Sequence, residues 1–167
     1  MGNKLDIYRS LGGVVKQLHL GEVLATNQES QKYGLVFSPA EAEELIQVRN
    51  LAISTHGRVE LGIEVVQKII IAFSRSAFIN QDEYAATIGE LLDIFYQMKN
   101  ETEDEMGDEE LIALMLEYYN GSCRGSLDLL RGRELALFAG TFRRKRLEKE
   151  AELQGSKSDD SKEYREI

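Results

Sequence analysis

Apolar residues recur along most of this chain at the three- and four-residue steps of an α-helix. The most regular run lies in RVELGIEVVQKIIIAFSRSAF. There Val59, Ile63, Val66, Ile70, Phe73 and Ala77 fall on one helical face. Leu61, Val65, Ile69 and Ile71 widen that surface, which predicts a central helix running from Val59. Its β-branched residues lower helix propensity, a weak preference that burial overrides. Tyr84, Ile88, Leu91, Phe95 and Met98 mark a second helix. Leu111, Met115 and Tyr118 mark a third, and Leu127, Leu130, Leu137, Phe138 and Phe142 a fourth.

The clearest boundary is SPAEAEELI. Ser38 can cap a helix, Pro39 suits its first position, and Glu41 completes a Ser-x-x-Glu capping box. This helix runs to about Thr55, with Leu45, Val48 and Ala52 on one face and Gly57 as a left-handed terminator. Asn80 and Glu83 form a second cap signal, and Ser126 a third. Gly107 is expected to break the chain, with Asp108 capping the next helix. Upstream, LGEVLATNQESQKYG reads as a shorter helix ending at Gly34. Leu5, Ile7, Tyr8 and Leu11 suggest a leading turn or helix interrupted by Gly12 and Gly13. Pro39 is the one proline, no hairpin signal separates alternating apolar runs, and no repeat emerges. The expectation is an all-α single-domain bundle of five to six helices over residues 1–142, including an N-terminal arm over 1–33. A charged helix extension and frayed tail over 143–167 complete it.

Composition adds limits. The 167 residues fit one domain, and 43% hydrophobic with 29% charged residues is a globular mixture. Net charge is −9, and because residues 143–167 nearly balance, the excess acid sits in the body. Such a body repels phosphate backbones, which argues against nucleic acid. No apolar run suits a signal core or a membrane span, and Asp6 replaces the Ser or Thr a myristoylation signal wants. A single cysteine, Cys123, cannot form an intramolecular disulfide and fits a reducing cytoplasm.

Two stretches carry candidate chemistry. NETEDEMGDEELI holds seven acids and no base. Aligned as a calcium loop on Gly107, it puts Met106 and Ala113 where oxygen ligands are required, which excludes that motif. A helix break and cap is the simpler account, with Glu109 and Glu110 complementing the helix dipole. The surplus at Glu101, Glu103, Asp104 and Glu105 suggests a face for a basic partner. STHGRVELGIE groups His56, Arg58, Glu60 and Glu64, and His56, Arg58 and Glu60 with Arg49 and Asn50 could line a polar ligand pocket. One histidine and two carboxylates are too few for zinc, so no metal or cofactor is expected. His19 lies far off in sequence. The RRKR cluster at 143–146 is followed at once by acids and reads as a solvated helix end. Cys123 has no CxxC partner and reads as structural. No phosphate-binding, zinc-protease or hydrolase motif occurs.

The strings YGLVFSPAEAEELIQVRN, GRVELGIEVV, FINQDEYAATIGELLDIFYQMKNETEDEMGDEELI and SCRGSLDLL resemble a small family of uncharacterised bacterial proteins, a domain of unknown function. The resemblance covers roughly residues 30–138. It implies a bacterial cytosolic protein with no assigned activity and carries over no functional residue. With no catalytic constellation and many amphipathic helices, a non-enzymatic interaction or regulatory module is expected, with a protein partner or a second copy as its target. The alternative is a small-molecule or metal-binding protein, or an enzyme, built around His56, Arg58 and Glu60.

Overall fold

Ser38 and Glu41 close the expected capping box. The Ser38 hydroxyl accepts from the Glu41 amide at 3.2 Å, and the Glu41 carboxylate accepts from the Ser38 amide at 3.0 Å. The helix they begin is the second of six main helices in a computed structural model that describes residues 4–163, with side chains from 11 to 156. These are α1 (Lys4–Ala25), α2 (Pro39–Thr55), α3 (Glu64–Phe73), α4 (Tyr84–Glu101), α5 (Asp108–Asn120) and α6 (Leu135–Glu163). Short helical turns at Asn27–Ser30, Gln31–Tyr33, Gln81–Glu83 and Leu127–Leu129 join them, and no strand occurs among the described residues. The chain is an all-α helical bundle.

Helix α4 is the hub. Ile88, Leu91, Leu92 and Phe95 are wholly buried. They pack against Leu45 of α2 and Val66, Ile70 and Phe73 of α3 within one continuous core. The pairing of α2 with α4 is the most extensive in the bundle, and α3 packs on both α4 and α5. Phe73 meets Tyr119 of α5 edge to face at 5.5 Å between ring centres. Phe37 stacks on Tyr84 at 4.2 Å. The extended residues entering α2 lack ladder partners, so side-chain amides supply them. Asn27 bonds the amide and carbonyl of Phe37, and Gln81 those of Val36.

Several expectations are corrected. Helix α3 starts at Glu64, and Val59 and Leu61 lie in the preceding loop, each 88% exposed. Helix α1 runs without a break through Gly12 and Gly13. Its continuation ends at Gly34 in the left-handed conformation, where the sequence placed a terminator. Gly107 is extended (φ −65°, ψ 152°) and stands at the N-cap of α5, with Asp108 inside the first turn. The chain instead turns at Glu103 and Asp104, both with positive φ. Ser126 caps Leu127–Leu129, but a wide π-type turn at Leu130–Glu134 delays α6. Helix α6 then continues to Glu163.

Candidate functional site

The loop after α2 organises the polar residues picked out in the sequence. His56 caps the helix, and Gly57 reverses the chain at φ +66°. The Arg58 amide then donates back to the Ile53 carbonyl at 2.8 Å. Arg49, three turns into α2, is 3% exposed. Its guanidinium donates to the carbonyls of Glu60 (2.8 Å) and Gly62 (2.6 Å) and to the Asn50 side chain (2.9 Å). Arg49 therefore pins the 60–62 loop to α2, and α3 cannot begin before that loop ends.

Arg58 and Glu60 face the C-terminal end of α4. Arg58 donates to Glu60 at 3.2 Å and pairs with Asp104, and its guanidinium lies 5.8 Å from the Tyr96 ring centre. The Tyr96 hydroxyl donates to the second Glu60 oxygen at 2.6 Å. Burial, reinforced by that carboxylate, pushes the Tyr96 phenol well above its ordinary value. Burial acts to lower the Arg58 pKa, but Asp104 and Glu60 outweigh it and hold it above the usual value. Beside them sits Lys99, 4% exposed. It donates to the Met106 carbonyl at 2.6 Å and pairs with Asp108 at 2.8 Å and Asp104 at 3.4 Å. Burial raises the Asp104 pKa, but Arg58 and Lys99 prevail and hold it below the ordinary carboxylate value.

The acidic stretch is thus largely engaged within the molecule. Glu101 accepts from Gln97 at 3.2 Å, Glu103 pairs with Arg146 of α6, and Glu109 pairs with Lys68 of α3 at 3.3 Å. Glu105 is exposed beside them. The stretch ties α3, the 58–60 loop and α6 to the α4–α5 turn. Among the described residues, no three His, Cys, Asp or Glu side chains group to hold a metal ion. Cys123 is buried, and burial pushes its thiol up, away from the reactive thiolate.

His56 has no hydrogen bond from its side chain to this network. The histidine near Arg49 is His19. With Lys16 of α1, it lines a cavity of about 450 Å³ that Arg49, Asn50 and Glu60 also border. Sequence distance hid that placement, because α1 folds back along α2.

A second concavity, about 810 Å³, lies elsewhere, between α2, α4 and the Leu127–Arg131 segment. Ala85, Ala86 and Gly89 of α4 are too small to fill the space beside Leu45 and Val48 of α2. Six carboxylates surround this apolar floor: Glu41, Glu44, Asp82, Glu90, Asp93 and Asp128. Arg131, the one cation there among the described residues, is bound to Asp93 at 3.0 Å. The sequence reading missed this groove because its acids are dispersed over residues 41–128. The available signal was the small-residue patch Ala85, Ala86 and Gly89 on a helix otherwise rich in large apolar residues.

No helix among the described residues is long and apolar enough to cross a membrane. No curated protein and no solved structure matches the chain. A family model matches residues 22–148, and the chain belongs to that family, DUF6323, a family of unknown function.

Proposed function

We propose that the protein is a non-enzymatic docking module that holds a basic amphipathic helix of a partner protein in the groove between α2 and α4. The observation that carries this reading is the groove itself: an apolar floor ringed by six carboxylates, whose one cation is already paired. A helix with a leucine or alanine stripe flanked by Lys and Arg complements it in shape and charge. A bacterial cytoplasmic setting accords with the family resemblance and with a lone, buried, free cysteine. A ligand or enzyme site at His56, Arg58 and Glu60 has less support. Arg58 and Glu60 bind each other, Asp104 and Tyr96, and His56 stands apart.

The test is fluorescence anisotropy with a labelled amphipathic peptide carrying lysines beside its leucine stripe, and with a counterpart carrying glutamates instead. The basic peptide is expected to bind, with affinity falling as salt rises, and the acidic one is not. Glu44→Lys combined with Glu90→Lys should abolish binding, as should Ala86→Trp, which fills the groove from an exposed position. Binding that is unchanged in both variants, or no binding of the basic peptide at low salt, refutes the reading.

A further inference from the structure

Helix α1 carries an apolar stripe that covers nothing among the described residues. Leu11, Val14, Val15 and Leu18 stand at i, i+3, i+4 and i+7 and are 56%, 63%, 47% and 59% exposed. That spacing places them side by side along one face. Within the next two turns the same helix is committed to the bundle through buried Val23 and the partly buried Leu20 and Leu24. Leu61, 88% exposed, borders the same cavity as Val15 and extends the patch. Single exposed leucines are ordinary, whereas a contiguous stripe marks an interaction surface.

We propose that this stripe is the interface of a homodimer in which α1 of one copy packs antiparallel against α1 of a second copy. Charge selects the occupant. The chain carries −9, so two copies repel unless they meet where carboxylates are absent. Residues 11–21 contain no acid, and their one lysine, Lys16, is already held by Glu43 of α2 at 2.6 Å. A charged partner finds no complement on this face, and the acidic groove excludes itself as a self-interface. The stripe is also self-complementary. Under a two-fold axis Leu11 lies opposite Leu18 of the other copy, and Val14 opposite Val15, as an isologous contact requires. Leu and Val at this spacing form the seam of paired helices.

Size sets the strength. Four half-exposed aliphatic side chains and Leu61 offer on the order of 500 Å² per copy, below the roughly 800 Å² per partner of standard interfaces. The dimer is therefore reversible, with a dissociation constant in the micromolar range. It is independent of the groove and leaves both copies' grooves open.

Sedimentation of the full chain from about 1 μM to about 1 mM tests this, since the range brackets a micromolar constant. The average mass should climb from 18.9 kDa towards twice that value. Leu11→Ser with Leu18→Ser should stay monomeric throughout, with an unchanged circular dichroism spectrum. Leu153→Ser, at a residue 63% exposed on α6, should dimerise like the wild type. Val14→Cys, close to the two-fold axis, should cross-link on oxidation, because Cys123 is buried. A wild type that stays monomeric, a dimer that survives the double substitution or is lost in Leu153→Ser, or a Val14→Cys variant that does not cross-link overturns the proposal.

Discussion

Replacing Lys99 with Met removes the cation at the α4–α5 turn while keeping chain length and helix propensity nearly constant. Breaking a buried ion pair typically costs about 3–5 kcal/mol, because the partner charge is left buried. Here the partners are wetter: the side chains of Asp104 and Asp108 are 58% and 36% exposed, so water recovers much of their solvation. The Met106 carbonyl has no such recourse, since its residue is 7% exposed, and losing its donor costs about 1–3 kcal/mol. Together these give roughly 2–4 kcal/mol, or about 4–16 °C in melting temperature for a domain of this size. Urea and thermal unfolding measure it, and a double-mutant cycle with Asp108→Asn isolates the pairwise coupling. Acid titration adds a signature. The lowered Asp104 pKa contributes stability that is present above its unfolded value of about 3.9 and lost as pH falls through the folded value. That acid loss should be shallower in Lys99→Met, which lacks one of the two cations lowering the pKa. A loss below about 1 kcal/mol, a small effect even for an ordinary substitution, refutes the view that Lys99 holds this turn.

Two further substitutions probe local packing. Gly125→Ala should destabilise by at least about 2 kcal/mol in urea unfolding: its φ is +79°, and an added Cβ meets the Phe78 Cβ at 2.5 Å. Tyr84→Phe should leave stability unchanged or raise it by up to about 1 kcal/mol, because the neighbouring Ser30 hydroxyl donates to the Leu35 carbonyl and leaves the buried Tyr84 hydroxyl without a well-formed hydrogen bond, while the ring keeps its stack on Phe37. Burial pushes that phenol up to about 12, so an ordinary phenolate titration near pH 10 should be absent at Tyr84 by ultraviolet difference spectroscopy.

Features set by neighbouring residues were legible in the sequence. The Ser38–Glu41 box, the Gly57 reversal and the apolar faces of α4 and α5 need only local spacing, and each stands where the pattern put it. What stayed hidden depends on distant partners. The run from Val59 keeps helical period, yet Arg49 binds the carbonyls of Glu60 and Gly62 and holds that segment against α2 as a loop, with the helix starting only at Glu64. Gly107 drew attention as a breaker. The turn was made instead at Glu103 and Asp104, whose left-handed conformations are held in a setting of pairs to Arg146, Arg58 and Lys99. Of the candidate pocket, Arg49, Asn50 and Glu60 do border one cavity, but only the folding of α1 onto α2 brings His19 there in place of His56.

The seven acids of NETEDEMGDEELI and the six of the groove look alike by charge count, and the structure separates them by their partners. In the first set, Glu103, Asp104, Asp108 and Glu109 meet Arg146, Arg58, Lys99 and Lys68 within the chain. In the second, the single arginine meets one carboxylate and, among the described residues, the other five have no cation paired to them. Salt distinguishes the two arrangements. Screening acts over about 8–10 Å of solvent at physiological ionic strength and weakens a pair built on a buried amine, such as Lys99 with Asp108, less than one between two exposed groups. Raising salt should therefore leave the stability of the fold nearly constant while weakening peptide capture by the groove. If both fell together, the acids of the α4–α5 turn would be acting through solvent rather than through their contacts, and the division of the chain's negative charge into an internal brace and a free docking surface would fail.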